Sequence, residues 1–375
     1  MPPTEPTDVS GRLKLGLVGG GDVAHRHYLP GIASRADRVA ITAAADPNLA
    51  AAEGVASAVS AWSPAARTYG SVGEMLAIET LDAVFNLTPA TLHGAVNREI
   101  LEAGVACFSE KPLASTLADA DALIDLAGSQ DVLFLVAPGS AATAPMRWLA
   151  GVIEDRSLGR PTLAVAHHAD AGPANWREYT GDPTPFYRDG VGPVFDHGVY
   201  RLHEMTFLLG PVGKVQAMGT IALPTRRIRG GPKKGGTIEV TTPDHVLVQL
   251  EFASGALGQL LASFGTLDTL APWLELHFER GVVSFGGKSW ELDAPVSIFE
   301  DDETDAAGEG WQHGVDVPRD AFGTVEVGAR HFIGCLLGEE TPVLTAQHAR
   351  HVLDVILKTY ASMADGRAHE IETSF

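Results

Sequence analysis

The chain has 375 residues, 45% of them hydrophobic, which is enough apolar material for two cores rather than one. Its 47 acidic side chains outnumber 27 basic ones, and the formal net charge of -20 repels nucleic acid and anionic membranes. Cys107 and Cys335 are its two cysteines. They imply no disulfide framework and fit a reducing cytoplasm, the expected location.

Residues 1–10 are rich in proline, threonine and acid and have no apolar core, so a disordered tail is expected rather than a signal peptide. No apolar run is long enough to span a bilayer. The run 13–18 ends at glycines and reads as a buried parallel strand. A helix over 22–34, a strand over 39–45 and an alanine-rich helix to about 61 follow. Strands are then predicted at 81–87, 105–109 and 132–137, with helices at 92–103 and 117–127 between them. Strands alternating with helices imply right-handed βαβ units and a parallel sheet covered on both faces, the Rossmann pattern, here over residues 11–140.

After Pro138 the pattern changes, and residues 141–375 are expected to form a second α/β domain for substrate binding and oligomerisation. A helix at 142–153, a strand at 162–169 and a helix at 195–209 lead into serial strands at 212–222, 237–242, 245–252, 256–264, 273–278 and 282–285. Their short turn-like links predict a large, open, mostly antiparallel sheet. Helices at 321–337 and 346–364 close the chain. The basic, glycine-rich stretch 226–236 and the acidic stretch 300–309 read as mobile solvated loops.

The spacing Gly19-x-Gly21-x-x-Ala24 follows a strand and opens a helix, which is the context of a dinucleotide fingerprint. Gly19 permits the tight turn, Gly21 lets the backbone approach a pyrophosphate, and Ala24 is small enough for close packing; Asp22 and Val23 complete the turn. Asp46 ends the next strand, where a carboxylate binds a ribose 2′-hydroxyl and repels a 2′-phosphate. That favours NAD over NADP. The other reading of Asp46 is a loop start before Pro47.

Farther on, Thr88-Pro89-x-x-x-His93, Glu110-Lys111-Pro112 and Gly190-x-Gly192-Pro193-Val194-Phe195-Asp196-His197-Gly198-Val199-Tyr200 occur in that order. In this ordered combination the chain resembles the Gfo/Idh/MocA oxidoreductases over nearly its whole length. The resemblance implies a Rossmann domain followed by an α/β domain with an open sheet, and hydride transfer with a nicotinamide cofactor. It implies that Thr88, Pro89 and His93 line the nicotinamide ribose, that Lys111 contacts cofactor and substrate hydroxyl, and that Glu110 holds the lysine loop. It also implies a homodimer or homotetramer formed through the open sheet. Many family members carry histidine at the place of Tyr200 and aspartate at that of His203, and this departure puts the substrate in doubt.

Residues 196, 200 and 203 are spaced i, i+4, i+7, so a regular helix carries them on one face, either lining a cleft or simply facing solvent. Gly198 points to close backbone approach. Tyr200 is the expected proton-transfer group, with Lys111 lowering its pKa by charge; Lys111 is the alternative base. Asp196 orients the substrate or the lysine, and His203 relays a proton or binds a second hydroxyl. Trp176, Arg177 and Tyr187 precede this helix, and aromatics interleaved with polar groups suit a small polyhydroxylated substrate such as a sugar, aminosugar or cyclitol. The same segment also reads as a packed loop. The remaining histidines, among them His167 and His168, show no metal-ligand spacing and read as structural or surface residues. Two other functions are compatible with the motifs: a lyase or glycosidase assisted by transient oxidation with tightly held NAD, and a non-catalytic NAD-binding regulator.

Overall fold

The computed structural model describes residues 11–288, 291, 293–301 and 310–375. The predicted N-terminal tail and most of the acidic stretch 300–309 lie outside them. Six strands, β1 (Leu13–Val18), β2 (Val39–Ala45), β3 (Arg67–Tyr69), β4 (Ala83–Asn86), β5 (Ala106–Ser109) and β6 (Phe134–Val136), form a parallel sheet in the order β3-β2-β1-β4-β5-β6. In this doubly wound order the direction of winding reverses between β1 and β4, which leaves a crevice at the carboxyl ends of those strands. Strand β2, Val-Ala-Ile-Thr-Ala-Ala-Ala, is buried at every position except Thr42, as a strand covered on both faces must be.

The helices of this region are α1 (Leu29–Ala33), α2 (Leu49–Val59), α3 (Val72–Ile78), α4 (His93–Glu102) and α5 (Leu117–Ser129). The sequence reading passed over β3 and α3. The Ser71 hydroxyl caps α3 by accepting the Glu74 N–H at 3.2 Å, and the Thr116 hydroxyl caps α5 by accepting the Asp119 N–H at 3.1 Å.

The chain continues with α6 (Ala144–Asp155), β7 (Pro161–Ala169), α7 (Val199–Leu209), β8 (Val212–Thr220), β9 (Thr225–Arg227), β10 (Thr237–Glu239), β11 (His245–Phe252), β12 (Leu257–Ser263), β13 (Leu274–Phe278), β14 (Gly281–Phe285), β15 (Val296–Glu300) and β16 (Gly310–His313). Helices α8 (Thr324–Leu336) and α9 (Ala346–Asp365) and strand β17 (His369–Glu370) complete it. The large sheet has the order β16-β15-β14-β13-β7-β12-β11-β8-β17 and is antiparallel except where β7 meets β12. Along β11, Val246, Val248, Leu250 and Phe252 are buried while Leu247, Gln249 and Glu251 face outward, the alternation of a sheet covered on one face.

Two compact units result. One comprises the chain up to Ala142 together with Phe322–Leu353; the other comprises Thr143–Ala321 and Asp354–Phe375. The sequence reading left α8 with the second domain, but α8 completes the core of the first unit. Its Phe332 ring lies 5.3 Å from Phe85 and 5.5 Å from Phe108, in an aromatic cluster that Tyr28 joins at 5.9–6.0 Å. Gly139 makes room for it: a Cβ there would stand 2.1 Å from the Thr324 carbonyl oxygen. An amphipathic pattern shows that a helix has a buried face, not which core receives it.

Candidate active site

In the first unit, Gly19 leaves β1 with φ +95°, and a Cβ on it would stand 2.6 Å from the carbonyl oxygen of Leu87, just past β4. The glycine turn therefore sits where β1 and β4 diverge, at the switch point of the sheet. A Cβ on Gly20 would meet the Ala51 carbonyl oxygen at 2.5 Å, whereas one on Gly21 meets nothing within 4 Å. The first two glycines serve backbone packing, and the third presents its backbone to open space. The helix that follows is not regular: Ala24–Tyr28 form a π turn that runs into α1, with Ala24 fully buried. Asp22 pairs with Arg26 at 3.1 Å.

Asp46, immediately after β2, accepts the Gly20 N–H on Oδ2 at 2.9 Å and the Asn48 N–H on Oδ1 at 2.8 Å. Its carboxylate is thereby fixed at the lip of the glycine turn. An open backbone at Gly21 beside a held carboxylate fits a nicotinamide dinucleotide, with phosphates on the turn and ribose hydroxyls on Asp46.

Strand β5 delivers Glu110-Lys111-Pro112, whose Lys111–Pro112 peptide is cis. Glu110 accepts the Tyr28 hydroxyl at 2.6 Å and the Lys111 N–H at 3.0 Å, so the lysine loop is tied to the π turn. His93 was expected on the cofactor. Instead its ring is 1% exposed, with Nδ1 2.7 Å from the Pro112 carbonyl oxygen and Nε2 2.7 Å from that of Thr88. It joins the loop after β4 to the loop after β5. Beneath it, Asn86 donates to Asn97 at 2.7 Å, Asn97 donates to Ser109 at 2.9 Å, and Thr88 donates to Asn86 at 2.7 Å. Leaving one buried member of such a chain unpaired costs about 1–3 kcal/mol.

In the second unit, a π turn at Val194–Gly198 precedes α7. Its i→i+5 bonding departs from the regular helix that the spacing predicts around Asp196. Gly198 does permit close approach: a Cβ would stand 3.3 Å from Ala262 and 3.4 Å from Leu260 on β12. Helix α7 is not half exposed. Every residue from Val199 to Thr206 is buried, including Tyr200 at 7%, His203 at 2%, and the pair Arg201 and Glu204.

A column of rings leads to Tyr200. Trp176 stacks on His197 (5.7 Å, 21°), His197 stacks on His168 (4.3 Å, 23°), and His168 lies 5.8 Å from Tyr200. His197 Nε2 is 3.4 Å from Asp196, and Nδ1 is 3.7 Å from Asp170. The sequence reading treated His168 as structural and gave His197 no role. The signal for His168 was its place after Ala164 and Ala166 on the inward face of β7.

Trp176 and Arg177 remain accessible. Tyr187, expected beside them, is fully buried with Ala174, Ile228, Ile238, Val240 and Phe264. Its hydroxyl accepts the Ala174 N–H at 3.0 Å, and burial pushes its phenol up to about 12. It is a core residue. The basic stretch 226–236 also differs from expectation. It begins in β9 and leads into β10 of the same ribbon, and Arg226 is 7% exposed, donating to the carbonyl oxygens of Ala171 and Phe264. Among the described residues no cluster of three His, Cys, Asp or Glu side chains can hold a metal, and no helix is long and apolar enough to cross a membrane.

Comparison with known proteins agrees with this architecture. The profile of the oxidoreductase family with NAD-binding Rossmann fold, GFO_IDH_MocA, matches residues 13–137, and that of the GFO/IDH/MocA C-terminal domain matches residues 146–284. The chain is 26% identical over 336 residues to levoglucosan dehydrogenase of Pseudarthrobacter phenanthrenivorans, covering 79% of this chain and 78% of that one. It is 25% identical over 317 residues to D-apiose dehydrogenase of Paraburkholderia graminis, covering 82% and 77%. An NAD binding oxidoreductase from Klebsiella pneumoniae has the same fold, with TM-score 0.80 at 21% identity over 97% of this chain and 100% of that one. The chain belongs to the Gfo/Idh/MocA family and is an NAD(P)-dependent oxidoreductase.

Proposed function

We propose that this chain moves a hydride between NAD and a secondary hydroxyl, or the matching ketone, of a sugar, aminosugar or cyclitol. The observation that carries this reading is the ring column, in which an accessible indole, Trp176, leads through two imidazoles to the buried phenol of Tyr200. An aromatic face suits the apolar side of a pyranose, and a phenol suits its hydroxyls. The relatives named for levoglucosan and D-apiose support a carbohydrate.

NAD, when bound, supplies the hydride acceptor or donor. The turn from Gly19 to Ala24 holds its phosphates, and Asp46 takes the ribose hydroxyls and disfavours a 2′-phosphate. Thr88, Pro89, Glu110 and Lys111 border the nicotinamide end, with His93 bracing their loops. Tyr200 takes or gives the hydroxyl proton. Asp196 orients the reacting hydroxyl, His203 bonds a second one, Trp176 stacks on the ring and Arg177 bonds at its edge.

A second copy of the chain covers the outer sheet face in this reading. There Met218 on β8, 76% exposed, stands in register with Leu247 on β11, 49% exposed, and Leu257 on β12 is 54% exposed. Light scattering at graded concentrations tests for the homodimer or homotetramer.

The test of function is a screen of sugars, aminosugars and cyclitols with NAD and with NADP, following the absorbance of reduced nicotinamide. Net NADH formation with one of them is expected. Product formed without net cofactor change would replace this reading with transient oxidation assisting elimination or glycoside cleavage. Cofactor binding with no turnover on any of them would replace it with a regulator.

A further inference from the structure

We propose that His197 is a positioning residue: it fixes the carboxylate of Asp196 and, through it, the orientation of the reacting hydroxyl. The inference rests on the role given to Asp196 above. Asp196 sits on a π turn, where the backbone departs from regular helical bonding, so its side chain needs a neighbour that is itself anchored by other segments to hold one direction. His197 is that neighbour. The ring is 2% exposed, and its two nitrogens face carboxylates from different segments, Asp196 on the turn at 3.4 Å and Asp170 just past β7 at 3.7 Å.

The ring itself has little freedom. Trp176 covers it on one side at 5.7 Å and His168 stacks on it at 4.3 Å, while Phe264 meets it edge-on at 5.0 Å and 89°. A hydrophobic side chain would fill that slot as well as an imidazole. What an imidazole adds is a polar atom toward each aspartate, 3.4 Å from the carboxylate of Asp196, which is 11% exposed. The same ring backs Trp176, so the stacking platform and the orienting carboxylate share one support.

A double-mutant cycle tests this. His197→Phe keeps a ring between Trp176 and His168 and removes both nitrogens; Asp196→Asn removes the charge it holds. With NAD and the sugar that the screen finds to turn over, His197→Phe is expected to lower kcat about 10- to 100-fold, the scale of a small misplacement at a reacting centre, while the KM for NAD stays unchanged. The double variant is expected to be no slower than the slower single variant, because the two residues act as a unit. Wild-type kcat in His197→Phe, or losses that multiply in the double variant, would overturn the proposal. Wild-type turnover in Asp196→Asn would overturn the role of Asp196 itself, a separate failure. Asp170 is 34% exposed, so Asp170→Asn provides the same test where His197→Phe does not fold. Its loss of kcat is expected to vanish in the Asp196→Asn background, and a loss that persists there would count against the proposal.

Discussion

The guanidinium of Arg201 stands 2.7 Å from the carboxylate of Glu204 one turn along α7, and neither side chain is more than 4% exposed. Burial pushes each toward its neutral form, Glu204 upward and Arg201 downward, and each charge opposes that shift in the other. The Trp273 ring 4.3 Å from the guanidinium offsets part of its lost hydration. Arg201→Met is therefore expected to destabilise the protein by about 3–5 kcal/mol, because it leaves a buried carboxylate unpaired. Arg201→Met with Glu204→Leu should recover most of that loss. Urea unfolding of the three proteins measures both, and a double variant no more stable than the single one would contradict the account.

Gly19 and Gly21 separate folding from binding. Gly19→Ala forces a Cβ into a left-handed backbone 2.6 Å from the Leu87 carbonyl oxygen, and a stability loss of at least about 1–2 kcal/mol is expected. Gly21→Ala meets nothing in the fold, so stability should stay within about 0.5 kcal/mol while NADH affinity falls. Thermal melts and quenching of protein fluorescence by NADH read the two effects. Unchanged NADH affinity in Gly21→Ala would remove that residue from the phosphate site.

The proposed preference for NAD rests on the carboxylate of Asp46. Asp46→Asn keeps side-chain oxygen for the Gly20 N–H and removes the charge that repels a 2′-phosphate. The ratio of kcat/KM for NAD over NADP is expected to fall about tenfold or more, equivalent to ~1.4 kcal/mol. A ratio that does not move would assign selectivity elsewhere.

Tyr200→Phe removes the hydroxyl proposed for proton transfer and leaves the ring against His168. A fall in kcat of about 10²- to 10⁴-fold is expected, with NADH binding unaltered. Full turnover in this variant would shift the proton-transfer role to Lys111.

His348, 1% exposed on α9, is lowered from 6.5 to about 3 by burial, with neighbouring His351 adding to the effect. Because the folded value lies below the unfolded one, the unfolded chain takes up the proton first as pH drops. Stability is complete above about pH 6.5 and declines as pH falls toward 3, by up to about 4 kcal/mol. Denaturation midpoints between pH 7.5 and 5 should fall more steeply in the native protein than in His348→Gln. Equal slopes would show that other groups govern the acid limb.

The parallel sheet was legible because its strands are apolar runs ending at glycine, aspartate or proline. Residues 67–69 and 72–78 were not, since a three-residue Arg-Thr-Tyr strand and a seven-residue helix offer no period to count. The π turns at Ala24–Tyr28 and Val194–Gly198 are invisible to a 3.6-residue pattern, so the helix expected over 195–209 is regular only from Val199. Spacing alone put the glycine turn after β1 and Asp46 at the end of β2, whereas the Glu110 loop after β5 stood out only by resemblance. His168 and His197 did not stand out, because their meaning comes from stacking between segments about thirty residues apart. Tyr187 misled in the opposite direction: a tyrosine beside tryptophan and arginine looks like a binding residue until its hydroxyl is found on the Ala174 amide.

The Phe332 ring, seated among Phe85, Phe108 and Tyr28, has a consequence for biosynthesis. A chain leaving the ribosome has made all six parallel strands by residue 136, yet the side chain that finishes their packing emerges nearly two hundred residues later. Until then the nascent nucleotide-binding half carries an open aromatic socket, vulnerable to chaperone capture or to aggregation, and a fragment cut at Ala142 would keep that defect permanently.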